Sequence, residues 1–147
     1  PIVIGQACEF DYSGTQACKA LMNEGLEVIL VNSNPATIMT DPEIATRVYV
    51  EPLTVPFLEK IIETEKPDAV IPTLGGQTAL NLALQLDDQG ILKRHHVQLL
   101  GATPTVIRAG EDREIFRGIL DKLGARYPKS FLVRTYEQGL EAGAQLG

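Results

Sequence analysis

The sequence has few of the features that mark membrane, nucleic-acid-binding and disulfide-stabilised proteins. Its 147 residues, 44% hydrophobic and 22% charged, contain no apolar run near the ~18 to 20 residues that cross a bilayer. Thirteen Lys and Arg against nineteen Asp and Glu give a net charge of −6, so no basic field attracts a nucleic-acid backbone. The two cysteines, Cys8 and Cys18, form no disulfide framework and predict a reducing, cytoplasmic location. For both of them, packing as small apolar side chains is the expected role.

Short apolar runs alternate with longer segments of helical period along the chain. Four runs are predicted strands: Glu27–Asn32, Val48–Val50, Asp68–Pro72 and Val97–Leu100. The first is continuously apolar and rich in β-branched residues, as in a strand that is covered on both faces. This alternation is typical of βαβ units. We therefore expect an α/β fold, with an open, mainly parallel, Rossmann-like sheet and helices on both of its faces.

Helix signals fill the gaps between the predicted strands. Ser13–Gln16 has the pattern of a capping box, which predicts a helix that starts there and stops at Gly25. Two further helices are predicted over Gln77–Gln89, ending at Gly90, and over Glu111–Leu123. Three others are predicted from their starts, which lie near Thr54, at Thr103-Pro104 and at a second capping box, Thr135–Gln138.

A change of composition after Gly124 predicts a domain boundary. We expect an α/β domain over residues 1–124, followed by a linker and the start of another domain over residues 125–147. The proline at position 1 and the last helix, which stops at Leu146-Gly147, give the expectation that the chain is a fragment.

Ligands of open parallel sheets bind outside the carboxyl ends of the strands. Four predicted loops lie there: Gly5–Gly14, Asn32–Asp41, Thr73–Gln77 and Gly101–Pro104. Gly75 and Gly76 let the backbone approach a ligand closely, and the helix that follows offers N–H groups to an anion. A Gly-Gly turn after a strand is also an ordinary connection, and spacing alone leaves both interpretations open.

Motifs of several standard sites are missing from the sequence. It contains no G-x-G-x-x-G, Walker lysine or G-x-S-x-G motif, and the first strand ends at Asn32 rather than at an acid that would hold a ribose. His95 and His96 follow a polar turn with no histidine or cysteine pair at ligand spacing, which favours a solvated loop over a metal site. No catalytic residue and no metal ligand is predicted in this chain.

Arg113 is the strongest candidate for a ligand contact. Acidic residues at the start of a helix suit the positive end of its dipole, but an arginine in the first turn gains nothing from it. The five fixed donors of Arg113 suit a phosphate or a carboxylate. A salt bridge to Glu111 or Glu114, or an exposed side chain, is the structural alternative.

Four stretches of the sequence carry a family resemblance. They are PIVIGQACEFDYSG at Pro1–Gly14, VNSNPATIMTD at Val31–Asp41, GGQTALN at Gly75–Asn81, and EDR at Glu111–Arg113. In this order and at this spacing they resemble the start of the large, synthetase subunit of carbamoyl-phosphate synthase. The stretch Gln6–Gly14 is more similar to the first of the two halves of that subunit, which handles bicarbonate, than to the second.

The resemblance implies an activity for the whole enzyme. That enzyme is an ATP-dependent carbon–nitrogen ligase, which makes carbamoyl phosphate from bicarbonate, glutamine-derived ammonia and two ATP for pyrimidine and arginine biosynthesis. This chain would be the pre-ATP-grasp domain of the first half. The ligands of Mg²⁺ or Mn²⁺ lie beyond Gly147 in the family, and Arg113 matches a family position that contacts ATP. The implied partner is a glutaminase, either a separate small subunit or a fused domain.

Two departures from the family pattern are visible. The family has a strand and a Gly-x-Gly turn before Pro1, so Ile2–Ile4 is expected to be loop and the first strand to be missing. Ala109-Gly110 replaces the Lys-Ala of many members and removes a cation there, but leaves Arg113 unchanged.

We therefore expect a fragment that is inactive alone, with Gln6 and Gln77 as candidate residues beside an ammonia route. The alternatives are a stand-alone, noncatalytic α/β ligand-binding module and the N-terminal domain of another ATP-grasp ligase such as biotin carboxylase.

Overall fold

A computed structural model describes residues 6–146, and the side chains of residues 8–146. Within this range the elements are α1 (Gln6–Asn23), β1 (Ile29–Val31), β2 (Arg47–Tyr49), α2 (Val55–Glu65), β3 (Ala69–Val70), α3 (Gly76–Asp88), α4 (Ile91–Arg94), β4 (Gln98–Leu99), α5 (Pro104–Glu111), α6 (Arg113–Leu123) and α7 (Tyr136–Leu146). Short 3-10 turns lie at Ile38–Thr40 and Thr73–Gly75. The chain divides into two compact units, Pro1–Pro104 and Thr105–Gly147.

The described strands form two parallel pairs. Strand β1 pairs with β2, placing Leu30 opposite Val48, and β3 pairs with β4, placing Val70 opposite Leu99. Each ladder continues one residue further, since the Asn32 N–H donates to the Tyr49 carbonyl and the Leu100 N–H donates to that of Val70. Helices connect β3 to β4, as parallel pairing requires. The predicted mixture of helices and parallel strands is confirmed, with strands shorter than the apolar runs suggested.

The core of the first unit lies between three helices and the strand that follows them. Helix α2 contributes Val55 and Ile62, and α3 contributes Leu82 and Leu86. The remaining members of this cluster are Ile91, Leu92 and Val97, from α4 and the approach to β4. Burial of each large aliphatic side chain stabilises the fold by roughly 1.5 to 3 kcal/mol. The core thus joins α2, α3 and α4 and fixes where their polar faces lie.

A buried carboxylate links the second strand to the end of α2. The Glu65 side chain is only 4% exposed, and it accepts hydrogen bonds from the Arg47 guanidinium and the Tyr49 hydroxyl. The hydrogen bond to Glu65 raises the pKa of Tyr49 above its ordinary value of 10.0, because the carboxylate favours the protonated phenol. The contribution of this bond to stability is therefore present below pH 10.0 and is lost as the pH rises through the raised pKa.

The start of α1 differs from the prediction. The helix begins at Gln6 rather than at Ser13, because the Ser13 hydroxyl donates to the Phe10 carbonyl at 3.0 Å inside the helix instead of capping it. Residues 6–14 are therefore helix and not a strand-end loop. The predicted end is confirmed by Gly25, whose φ of +80° stops the helix. The expectation of a loop at Ile2–Ile4 lies outside the described residues.

The other helix boundaries follow the sequence with one exception. Helix α2 begins directly after Thr54, and Gly90, with φ of +69°, separates α3 from α4. The exception is the predicted helix start at Glu111, which is wrong. Helix α5 ends there, Asp112 adopts an extended conformation, and α6 begins at Arg113.

At the start of α7, the first bond of the second predicted capping box is confirmed, while the return bond goes to Arg134 rather than to Thr135. The Thr135 hydroxyl accepts from the Gln138 N–H at 3.3 Å, and the Gln138 side chain accepts from the Arg134 N–H at 2.9 Å. Among residues 6–146, no helix has the length and hydropathy needed to span a membrane.

We expect Leu86→Ala to destabilise the first unit by about 2 to 5 kcal/mol, because it would leave a cavity at a position that is 2% exposed. Urea unfolding followed by circular dichroism measures this loss. Leu26→Ala is the matched control, since Leu26 is 55% exposed and should cost far less. Equal losses for the two variants would contradict the assigned core.

Candidate functional site

The loop after β1 is held in shape by its own side chains. The Asn32 side-chain oxygen accepts from the Asn34 N–H at 3.0 Å, and that of Asn34 accepts from the Ala36 N–H at 3.0 Å. Thr37 is buried, and its hydroxyl accepts from the Met39 N–H at 3.2 Å. Asparagine and threonine side chains that satisfy local backbone donors fix a turn without help from other elements. The loop therefore presents a defined surface.

Helix α1 packs directly against this loop. Gly14 is buried in α1, and a Cβ atom at that position would lie 2.3 Å from Met39 Cε and 2.7 Å from Met39 Sδ. With glycine there, the end of the Met39 side chain packs directly against the backbone of α1, and any larger residue would push it aside. The next residue, Thr15, is 4% exposed, and its hydroxyl has no hydrogen-bond partner in the part of the chain that the structure describes.

Two further loops meet at the start of α3. Gly76 has φ of +62° and ψ of −159°, a conformation nearly restricted to glycine. A Cβ atom at Gly76 would lie 4.0 Å from Phe10 Cζ of α1. Gly101, with φ of +85°, would place a Cβ 3.3 Å from Thr73 Oγ1. The fold thus brings together three of the four stretches singled out in the sequence, with the 101–104 loop beside them.

Of the two glutamines predicted beside an ammonia route, the structure describes the side chain of Gln77 but not that of Gln6. Gln77 is exposed, and its amide donates to the Asn81 side-chain oxygen at 3.1 Å, one turn further along α3. Gln6 is the first residue of α1, and its side chain lies outside the described part. Their role at such a route stays a prediction.

An open cleft of about 570 Å³ lies between the starts of α2 and α3. Much of its lining is polar, including Thr54, Glu59, Thr78, Asn81 and Gln85. Groups of this kind hydrogen-bond a small polar molecule. Among the residues that line it, there is no nucleophile paired with a general base.

In the second unit, Arg113 is fixed at the first position of α6. The Asp112 carboxylate accepts from the N–H groups of Glu114 and Ile115 at 2.8 and 3.0 Å and caps the helix. The Arg113 side chain is exposed, and no carboxylate within residues 8–146 lies at salt-bridge distance from it. The alternative of a salt bridge to Glu111 or Glu114 is therefore not realised, whereas the other alternative, an exposed side chain, is what the structure shows. The contact of Arg113 with ATP stays a prediction.

The predictions for the cysteines and histidines are confirmed for Cys18 and His96 and wrong for Cys8 and His95. Cys18 is buried as predicted, and burial raises the pKa of its thiol, which disfavours a reactive thiolate. Cys8 is exposed, so the packing role predicted for it is wrong. His96 is exposed, as a solvated loop requires, but His95 caps the end of α4 and is half-buried. The solvated-loop prediction is wrong for His95 because α2 packs beside it.

The parallel strand pairs, the helices that connect them and the packing of α1 against the loops after β1 and β3 define an α/β domain. Residues 1–109 match the family described as the carbamoyl phosphate synthase pre-ATP-grasp domain. The chain belongs to this family.

Relatives extend the similarity over the whole chain. All 147 residues are 60% identical to the carbamoyl phosphate synthase large chain, N-terminal section, of Aquifex aeolicus, and cover 26% of that protein. The chain is 58% identical to the large chain of Pseudarthrobacter chlorophenolicus and to the arginine-specific, chloroplastic large chain of Oryza sativa, of which it covers 13% and 12%. It therefore spans about a quarter or less of these relatives.

Sequence reasoning missed the contact between Gly14 and Met39. A glycine inside a helix costs about 1 kcal/mol relative to alanine and often marks a close approach, which was the available signal. The identity of the neighbour, however, depends on a loop 25 positions away, as the residue numbers show.

We expect Gly14→Ala to be destabilising in the native sequence, because the new methyl group would displace Met39. In a Met39→Ala background the same change should become stabilising by up to about 1 kcal/mol, because only the gain in helix propensity remains. A double-mutant cycle by urea unfolding measures the coupling. Effects of Gly14→Ala that are equal in the two backgrounds would show that the two residues do not touch.

Proposed function

We propose that this chain is the pre-ATP-grasp part of a carbamoyl phosphate synthase large chain, in its first half, and that it supports the phosphorylation of bicarbonate. The proposal is carried by the structure of the first unit, which packs together the three stretches Gln6–Gly14, Val31–Asp41 and Gly75–Asn81. A family resemblance confined to scattered residues would not concentrate at one place in the fold, where α1 meets the loops after β1 and β3.

The finer features of the fold belong to the same proposal. The two strand pairs would be parts of one open, mainly parallel sheet with helices on both faces. The pre-ATP-grasp domain would extend over residues 1–124, and residues 125–147 would form the linker and the beginning of the ATP-grasp domain.

The geometry at Arg113 fits a phosphate. Its guanidinium is exposed and free of carboxylates among the described side chains, while the Asp112 cap keeps the residue at the start of α6. Five donors in a planar fork suit the oxygens of a phosphate and stay charged at all relevant pH values. Arg113 would hold and orient negative charge during phosphoryl transfer, which is a role of electrostatic stabilisation.

The remaining chemistry would come from outside this chain. ATP supplies the phosphoryl group when bound, and the carboxylates that hold Mg²⁺ or Mn²⁺ would lie in the ATP-grasp domain. Bicarbonate and ammonia would be the other substrates, with ammonia delivered by a glutaminase subunit or fused domain past Gln6 and Gln77. The product would serve pyrimidine and arginine biosynthesis in the cytoplasm, with no nucleic-acid or membrane partner.

The surface of the second unit supports a neighbouring domain. Helix α6 has its apolar residues at helical spacing, yet Ile115, Phe116 and Ile119 are all at least 36% exposed, and Leu123 is 75% exposed. A strongly amphipathic helix whose apolar stripe is uncovered needs a partner surface. The ATP-grasp domain would supply it.

A stand-alone ligand-binding module is the second candidate, favoured by the polar cleft of about 570 Å³ in the first unit. The module would bind a small polar molecule tightly by itself, whereas the proposed fragment would not. The N-terminal domain of another ATP-grasp ligase, such as biotin carboxylase, would not account for the family match or the 58–60% identities.

In the complete large chain, we expect Arg113→Ala to lower kcat/KM for ATP in bicarbonate-dependent hydrolysis by about tenfold or more, equivalent to about 1.4 kcal/mol. Arg113→Lys should recover part of the loss, because it keeps the charge but not the planar fork. Steady-state kinetics at varied ATP measure both effects.

Arg126→Ala is the matched control, since Arg126 is also exposed and lies outside the helices. It should leave the kinetics unchanged. If Arg113→Ala behaves like Arg126→Ala, Arg113 is an ordinary surface residue and its proposed contact with ATP is wrong.

We also expect the 147-residue chain alone to show no bicarbonate-dependent ATP cleavage and only feeble ATP binding by calorimetry. The reason is that most of the nucleotide contacts would lie in the ATP-grasp domain. Turnover by this chain would contradict the fragment interpretation, and tight binding of a small polar ligand without turnover would favour the module instead.

A further inference from the structure

One cluster of metal-ligating side chains lies apart from the loops that carry the proposed function. Glu59 and Glu63 are on α2, and His95 caps α4; their nearest ligand atoms all lie within 4.8 Å of one another. Glutamates at i and i+4 share one face of a helix, so both carboxylates point to the same side. The end of α4 brings the imidazole to that side.

The His95 ring contains a polar atom without a partner. Its Nε2 is buried, has no hydrogen-bond partner among the described residues, and lies 3.9 Å from Glu59 Oε1, too far for a hydrogen bond. A buried, unsatisfied nitrogen costs about 1 to 3 kcal/mol. A cation between this nitrogen and the two carboxylates would satisfy it.

We propose that Glu59, Glu63 and His95 form a binding site for a divalent transition metal of the zinc class. Imidazole nitrogen with carboxylate oxygens is a ligand set that zinc accepts, at about 2.0 to 2.2 Å, whereas Mg²⁺ and Ca²⁺ prefer oxygen ligands alone. Three protein ligands leave a fourth position for water. Because Glu63 is exposed, the metal can enter from solvent. This inference does not rest on the proposed function.

The positions of the three ligands are fixed by the core of the first unit. Ile62, next to Glu63, belongs to the same buried cluster as Ile91 and Leu92 of the short helix that ends at His95. The His95 N–H donates to the Ile91 carbonyl at 3.0 Å. Metal sites built on such rigid elements keep their geometry better than sites built on loops.

Arg94 is the competitor of the metal. Its guanidinium pairs with Glu59 Oε1 in the structure, so a salt bridge between α2 and α4 is the alternative role of this cluster. That salt bridge uses one oxygen of Glu59 and leaves His95 Nε2 and the Glu63 carboxylate unused. The two interpretations give different predictions for the loss of Arg94. If the salt bridge is the role of the cluster, the loss should destabilise the fold. If the cluster binds a metal, the loss should not weaken metal binding.

The test uses calorimetric titration of Zn²⁺ into the 147-residue chain, with Cys8→Ser in every variant because the exposed thiol also binds zinc. We expect one equivalent of Zn²⁺ to bind and to raise the melting temperature, since a ligand specific for the folded state stabilises it. His95→Ala and Glu63→Gln should each weaken binding by at least about tenfold. Millimolar Mg²⁺ should not compete.

Two matched variants complete the experiment. His96→Asn removes the neighbouring exposed imidazole while tolerating its φ of +58°, and should leave the Zn²⁺ affinity unchanged. Arg94→Gln should leave the affinity equal or increase it. The 15N resonances of the His95 ring should shift on addition of Zn²⁺.

The proposal is overturned if the chain binds no Zn²⁺, or if His95→Ala and Glu63→Gln bind it as the parent does. Should His95→Ala lose its circular-dichroism spectrum, Glu63→Gln decides alone, because Glu63 is exposed on α2 and its replacement leaves the core intact. Weaker binding in Arg94→Gln would also count against the site.

Discussion

The apolar cluster shared by α2, α3 and α4 is the constraint on which the first unit depends. Leu82 and Leu86 of α3 pack with Val55 and Ile62 of α2, and Ile91 of α4 belongs to the same core. This packing fixes the start of α3, where the strand-end loops gather. It also fixes the polar faces of α2 and α4, which carry the proposed metal ligands. The same apolar cluster therefore positions both the strand-end loops and the metal ligands.

A second feature of this domain is the close packing of its loops against α1 at glycine positions. Gly14 admits Met39, and the positive φ of Gly76 turns the chain from β3 into α3 beside Phe10. A side chain at Gly14 would push the end of the Met39 side chain aside, and one at Gly76 would be strained, so both glycines allow close packing of the loops against α1.

Much of the fold could be predicted from the sequence. The strand Ile29–Val31 and the helix after Thr54 follow from the spacing of apolar residues, a pattern that acts over a few neighbouring positions. The start of α1 could not be predicted, because the Ser13 hydroxyl has two local partners to choose between and the sequence does not rank them. The sequence pattern predicts the start of α6 at Glu111, but Asp112 is extended and its carboxylate caps the helix, which begins at Arg113.

The sequence by itself determined the alternation of helices and strands, the family and the candidacy of Arg113, because these depend on residue types at short or fixed spacing. Only the tertiary structure decided which distant residues meet. Glu59 and His95 lie 36 positions apart and share no motif, yet the packing of α2 against α4 places them side by side. A linear pattern does not encode such a meeting, since it depends on the angle and register at which two helices bury their apolar faces.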